Sequence, residues 1–295
     1  MRAKGIILCI LSSISFGLAF SIAPLTYGDA GSNAVNLALF RNFLALPFLF
    51  FIIIFLKIGF KITLKQFFNL VLIGVLGNST TALMLNLALV HIDVGIVMPI
   101  HFTYPLFVLL FSVLFYKDKL SKSNIIALII AMIGILCFFY EALANLNANS
   151  KEIIIGLILA LLTGATYGFY IIFMDKSGLK TQNPFKMTFY ISLASGFSVL
   201  TYGLIFDEFD FSKMTQNAWL FSLAFALLCN VIALSLLQIG IKHIGANMAA
   251  VITTFEPLTG VICGAWFLGE LITIGKIIAC CFIFAGVLIL SFYEK

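Results

Sequence analysis

Charge is what this sequence has least of. Only 10% of its 295 residues are Asp, Glu, Lys or Arg, while 62% are hydrophobic, and the mean hydropathy is +1.16. A soluble domain carries about 25% charged residues, so no water-facing fold of this length could hide so much apolar surface. The solvent must be lipid. There every backbone donor and acceptor needs an internal partner, which leaves helices or closed barrels. The apolar runs are continuous rather than alternating, which excludes the barrel.

Other absences narrow the function. The six cysteines (Cys9, Cys137, Cys229, Cys263, Cys280, Cys281) form no CxxC pair and lie in apolar segments, so they read as small hydrophobes rather than metal ligands or disulfides. No GxxxxGK[ST] loop occurs, so ATP hydrolysis within the chain is not expected. The lysines are scattered at segment ends, so the net charge of +5 is no nucleic-acid signal. No cofactor is expected. The opening Met-Arg-Ala-Lys leads into an apolar run too long for a signal peptide, with no convincing small-x-small cleavage site after it, and is read as the first membrane helix.

What is present is a series of apolar runs of spanning length, about 20 residues each. They fall at approximately 5–25, 33–55, 67–90, 94–116, 123–141, 153–174, 185–206, 218–241, 246–268 and 273–293. A Gly-Asp-Ala-Gly-Ser-Asn stretch from Gly28 separates the first two. Asn145 to Ser150 forms a polar mid-chain linker, and Asn183-Pro184 caps the seventh. The basic residues support this count. On one side fall Arg2, Lys4, Lys57, Lys61, Lys65, Lys117, Lys119, Lys122, Lys176, Lys180, Lys186, Lys242 and Lys295. Only Lys151, Lys213 and Lys276 fall on the other, and Arg41 lies within a segment. That asymmetry predicts both termini in the cytoplasm.

The chain also repeats itself. Asn78, His91, Pro105, Leu106, Phe115 and Gly134 return as Asn230, His243, Pro257, Leu258, Phe267 and Gly286, each 152 residues later (230 − 78 = 152). Gly5, Phe16 and Gly17 correspond to Gly156, Tyr167 and Gly168 at an offset of 151. The fold predicted is therefore an all-α integral membrane protein, with ten transmembrane helices in two five-helix repeats, residues 1–144 and 150–295. Five is odd, so the second repeat enters from the opposite face and the repeats are inverted. Such a duplication marks a transporter whose substrate sits near the midplane, where the halves meet.

The segment ITTFEPLTGVICGAWFLGELITIGKIIACCFIFAGVLIL, from Ile252 to Leu290, resembles the closing signature of the EamA family of the drug/metabolite transporter superfamily. It carries Glu256-Pro257, Gly269-Glu270 and Gly286, with a weaker copy in Tyr104-Pro105, Lys117-Asp118 and Gly134. Arg41-Asn42-Phe43-Leu44-Ala45 is similar to the family's arginine-led second helix. The resemblance covers essentially the whole chain. It implies a central cavity lined mainly by the first, third, fourth, sixth, eighth and ninth helices, with the fifth and tenth further away. It does not define the substrate, because the superfamily moves amino acids, sugars, nucleotide derivatives, amines and drugs.

Several polar residues are candidates for the work. Glu256 is the sharpest, because a carboxylate in an apolar helix costs about 2.5–3.5 kcal/mol to insert, on the scale measured for Asp. It either binds a cationic group or a coupling proton, or ties helices together as a neutral hydrogen-bonding group. His101, four residues before Pro105, is either its proton-handling partner across the cavity or a satisfied buried histidine. Asn78 with Asn230, and Asn86 with Gln238, are repeat-related amides that serve either as interhelical glue or as substrate contacts. Arg41 binds an anionic group, snorkels or makes a structural pair. Phe16, Tyr104, Tyr167 and Tyr170 are candidates for stacking a substrate, against a packing role. Pro105, Pro257, Gly17 and Gly168 are read as structural or gating positions. Ser13-x-x-x-Gly17, Gly164-x-x-x-Gly168 and Gly260-x-x-x-Gly264 offer small-residue faces for close packing.

The function expected is a secondary transporter, not an enzyme. It would move a small metabolite such as an amino acid or amine by alternating access, with proton coupling and homodimerisation both open. Its partners would be the substrate and the bilayer, with no nucleic acid, and a bacterial cytoplasmic membrane is the expected location. A lipid-modifying membrane enzyme is the alternative, but its only acidic cluster, Asp207-Glu208-Asp210, has no nearby histidine and reads as a solvated loop. A channel-like facilitator would need a pore-lining polar stripe, and none is visible.

Overall fold

In a computed structural model, which describes residues 2–92, 94–143, 150–269 and 272–293, the described chain is helical and contains no strand. The linker at 144–149, Asp93 and Glu270 lie outside those residues. Among the described residues, seven stretches are long and apolar enough to cross a membrane: Arg2–Thr26, Ala34–Phe55, Leu64–Leu85, Ile96–Tyr116, Ile153–Lys176, Pro184–Ile205 and Gln216–Thr253. Lys122–Cys137 and Ile274–Ile289 are shorter apolar helices. Each of the ten expected segments is helical. In chain order they are α1 (Arg2–Ile22), α2 (Ala34–Phe55), α3 (64–91), α4 (94–116), α5 (Lys122–Leu143), α6 (Ser150–Lys176), α7 (Pro184–Ile205), α8 (216–244), α9 (246–268) and α10 (Ile274–Tyr293). The 38-residue stretch from Gln216 to Thr253 joins α8 to α9 across Gly245, whose φ of 77° and ψ of 168° leave the helix.

Local chemistry sets the ends. Asn183 caps α7 by accepting from the Phe185 and Lys186 amides, with Pro184 in the first turn. Thr63 and Gln66 form a reciprocal capping box at the start of α3. Two departures from regular helix occur in both halves. Ile73–Ser79 in α3 and Leu227–Leu234 in α8 are π-helical. Helices α4 and α9 each break into a turn, at 102–103 and 254–255, before Tyr104-Pro105 and Glu256-Pro257 restart them. Proline lacks the amide that would continue the ladder, so each break sits where the sequence puts Pro at the second position of a new helix.

Packing repeats as well. Helix α1 lies against α8 and α9, α6 lies against α3 and α4, and α5 pairs with α10. A Cβ on Gly17 would fall 2.6 Å from Thr259 Cβ and 3.0 Å from the Glu256 carbonyl. One on Gly168 would fall 2.8 Å from Phe107 Cβ and 3.1 Å from the Tyr104 carbonyl, the same contacts one repeat earlier. Gly5 meets Ile244 as Gly156 meets Ile92. Lipid is as apolar as leucine, so close backbone approach at small residues, rather than apolar burial, brings these helices together. Large side chains such as Phe51, Phe55 and Trp266 are exposed on the outside, as lipid contact requires.

Gly134 and Gly286 seat α5 against α10, where an added Cβ would come 2.7 Å from the Ala279 carbonyl and 2.8 Å from the Ala127 carbonyl. A Gly134→Leu substitution is expected to overpack this seam by about 1–3 kcal/mol. It should lower the thermal midpoint in detergent while leaving flux per folded molecule unchanged, because neither helix reaches the central cavity.

Candidate functional site

A cavity of about 160 Å³ lies between the α1–α8–α9 group and the α3–α4–α6 group. One wall is aromatic: Phe16 and Phe20, with centroids 6.4 Å apart, and Phe225, edge-on to Phe20 at 5.6 Å. Tyr167 and His101 form the facing wall, 5.5 Å apart between ring centroids. Ala34, Leu37, Ala38 and Arg41 of α2 add a third side, and Tyr27 and Pro24, between α1 and α2, complete the lining there. The resemblance to the transporter family did not imply this contribution from α2.

Of the sequence candidates, Phe16, Arg41, Asn78, His101, Tyr167 and Glu256 line this one cavity. Glu256 opens the half-helix Glu256–Leu268 and is 7% exposed, and among the described residues nothing hydrogen-bonds its carboxylate. Arg41 donates from Nη2 to Asn78 Oδ1 at 3.1 Å, while its buried Nε has no partner. Among the described residues no ion pair joins Arg41 to Glu256. His101 Nδ1 lies 3.0 Å from Thr163 Oγ1. The cavity therefore holds one acidic and one basic side chain, with no ion pair between them among the described residues.

Tyr104, Tyr170 and Asn230 lie beside the cavity rather than on its surface. Tyr104 is fully buried and donates to Thr253 Oγ1 at 2.8 Å. Tyr170 lies nearly parallel to Tyr167 (7°) and accepts from Gln238 Nε2 at 3.2 Å. Asn230 belongs to a buried amide cluster that sequence reading left incomplete. Asn42 Oδ1 accepts from Asn230 Nδ2 at 3.1 Å and from Asn78 Nδ2 at 3.4 Å, so one α2 residue bridges the two π-helical segments. Asn78 also donates to Ser195 Oγ and Asn230 to Ser192 Oγ, each at 2.9 Å. Phe20 was detectable as the i+4 neighbour of Phe16, whereas Asn42, Thr81 and Tyr27 had no repeat signal to mark them. The side chain of Asn86 lies outside the described residues. Pro105 and Pro257 stand in the first turns of the restarted α4 and α9, and Gly17 and Gly168 form the close contacts already given.

Among the described residues, the cavity lining runs from Glu256, His101 and Tyr167 to Tyr27, Pro24 and Ala34, on the side of the bundle that bears the 206–215 loop. That loop is tied down by Asn33 Nδ2 to the Glu208 carbonyl at 2.8 Å and Asn36 Nδ2 to the Asp210 carbonyl at 2.9 Å. Hydrogen bonds from Ser212 hold exposed Asp210 below the usual carboxylate range, with Lys213 3.6 Å away. The acidic cluster is thus a charged surface turn. No group of three or more His, Cys, Asp or Glu able to hold a metal converges among the described residues.

The comparisons agree with this architecture. A family model described as the EamA-like transporter family matches residues 3–140 and again 154–292. An uncharacterized transporter of Archaeoglobus fulgidus is 24% identical over 185 residues, covering 63% of this chain and 62% of that protein. The uncharacterized transporter YcbK of Bacillus subtilis is 28% identical over 188 residues, covering 60% and 57%. An uncharacterized transporter of Clostridium kluyveri is 21% identical over 229 residues, covering 78% and 73%. The match to the Archaeoglobus relative thus spans less than two thirds of that protein. A solved crystal structure, 14% identical, superposes over 100% of both chains with a TM-score of 0.84, a likeness of fold alone.

The placement of the cavity has a direct readout in a chain whose six native cysteines are replaced. Ala82→Cys, on the cavity wall, should react with a membrane-impermeant thiol reagent. Ala249→Cys, at a fully buried site beyond Thr253, should react about tenfold more slowly. The check is the labelling rate of each protein in sealed vesicles.

Proposed function

The chain belongs to the EamA-like transporter family, and from that premise we propose that it carries a small zwitterionic metabolite, such as an amino acid, across the membrane. One observation carries the reading: Arg41 and Glu256 face the same small cavity without neutralising each other. A buried charge is tolerated when something pairs it. A ligand with an ammonium at one end and a carboxylate at the other pairs both at once, with its carboxylate on Arg41 and its ammonium on Glu256. Phe16, Phe20, Tyr167 and Phe225 then enclose its side chain. The size agrees, since about 160 Å³ falls below the roughly 300–1,000 Å³ of drug-sized sites.

The proposed topology has ten spans and both ends in the cytoplasm of a bacterial cell, as two inverted repeats of residues 1–144 and 150–295. The distribution of Lys and Arg supports the orientation, and the glycine contacts recurring at 151 and 152 residues support the repeat. Transport proceeds by rocking of the α1–α8–α9 group against the α3–α4–α6 group. Glu256, freed of its ligand, is the group that takes the coupling proton on the return step.

Flux into proteoliposomes separates the two ends of the substrate. With an amino acid, Arg41→Ala should raise KM about tenfold to a hundredfold, the loss of about 1.5–3 kcal/mol for a charged hydrogen bond. With the corresponding decarboxylated amine it should change little. Glu256→Gln should weaken both substrates and flatten the pH dependence of flux. Equal damage by Arg41→Ala to acid and amine, or no flux of either compound, would overturn the reading.

A further inference from the structure

Three contacts seal the end of the bundle opposite the cavity, and each joins the α3–α4–α6 group to the α8–α9 side. Nearest the cavity, Tyr104 Oη donates to Thr253 Oγ1 at 2.8 Å. Next, Gln238 Nε2 donates to Tyr170 Oη at 3.2 Å. Outermost, the Ala246 amide at the start of α9 donates to Asp175 Oδ2 at 3.3 Å, and Asp175 Oδ1 also accepts from Lys180 at 2.6 Å.

The repeat gives each contact a counterpart at the open end. With offsets of 151 for α1 and α6 and 152 for α3, α4, α8 and α9, Tyr170 and Gln238 correspond to Ala19 and Asn86. Asp175 and Ala246 correspond to Pro24 and Val94. Ala19 and Pro24 carry no side-chain acceptor, so those two seals have no equivalent. Tyr104 and Thr253 correspond to Glu256 and His101. That pair can bond, yet in this structure the two face the cavity apart. His101 is held through Nδ1 by Thr163, and nothing hydrogen-bonds Glu256 among the described residues.

We propose that Glu256 and His101 form the closing bond of the opposite conformation, in the place that Tyr104 and Thr253 occupy in this one. The inference rests on the inverted-repeat reading above. When the two groups rock, the halves exchange geometries, and the seal nearest the axis re-forms at the other end from its repeat-related residues. The same carboxylate that receives the substrate's ammonium then becomes the bolt of the closed door. Substrate and closing bond compete for Glu256. The two missing outer seals leave the cavity end with one lock against three, which favours the conformation seen here.

The test uses the two thiol reporters without substrate, so it is independent of what the protein carries. Tyr104→Phe and Thr253→Val remove the seal now formed. Each should speed labelling of Ala249→Cys and slow that of Ala82→Cys. His101→Ala and Glu256→Ala remove the seal of the other state. Each should slow Ala249→Cys by about fivefold, as its exposed state loses population, and leave Ala82→Cys fast. Glu256→Gln keeps a hydrogen-bonding group and should restore the parent rates, and His101→Ala carries the test alone if Glu256→Ala does not fold. Opposite signs from the two repeat-related pairs support the proposal. Acceleration of both reporters by every variant would mean general loosening and overturn it, as would an unchanged Ala249→Cys rate in His101→Ala. Either result would leave the zwitterion reading to be judged by flux.

Discussion

A backbone carbonyl out of reach of water must find its donor inside the protein, and the rest of this structure follows from how that is done. Two π-helical segments and two proline breaks take carbonyls off the regular ladder. Hydroxyl groups from neighbouring helices meet them. Ser195 donates to the Gly74 carbonyl at 2.7 Å, Ser12 to that of Ala233 at 2.7 Å and Ser15 to that of Leu228 at 2.9 Å. Ser13 reaches the Thr253 carbonyl, four residues before Pro257, at 3.4 Å. Irregular backbone at membrane depth is tolerated where protein or a cavity surrounds it. The serines of α1 and α7 meet that condition, and so allow breaks in the middle of the bundle where a site can form.

Charge follows a different rule from packing. The glycine contacts occur twice, but the charges of the cavity occur once. The repeat counterpart of Glu256 is Tyr104, and that of Arg41 is Ser192 at the offset of 151. Ser192 keeps the amide contact, accepting from Asn230 as Asn78 accepts from Arg41, but it brings no charge. A duplicated scaffold thus carries a cavity lined by one arginine and one glutamate with no charged repeat counterpart. A second pair would have left two uncompensated ions in a low-dielectric interior, which is strongly unfavourable.

The sequence made the helical segments, the repeat and Glu256 as a carboxylate inside an apolar helix legible, because hydropathy and identity at a fixed offset are one-dimensional signals. Asn183-Pro184 and the Tyr104-Pro105 and Glu256-Pro257 steps announced a cap and two breaks through chemistry local to each residue. The π-helical segments were invisible, since one extra residue per turn changes neither composition nor hydropathy. Asn42 was hidden by having no repeat partner, although it stands next to Arg41. Tyr104 and Tyr170 were grouped with Tyr167 because all three lie on cavity helices. In the folded bundle Tyr167 meets the open space, while the other two are fully buried.

Asn42 has one more implication. Its repeat positions are Leu193 or Ala194, neither of which can accept a hydrogen bond through its side chain. One amide oxygen therefore serves two donors, one from each half, at the point where the halves meet. The tie across the middle of the bundle therefore hangs on one side chain of one half, and losing that oxygen would strand a donor in each half at once.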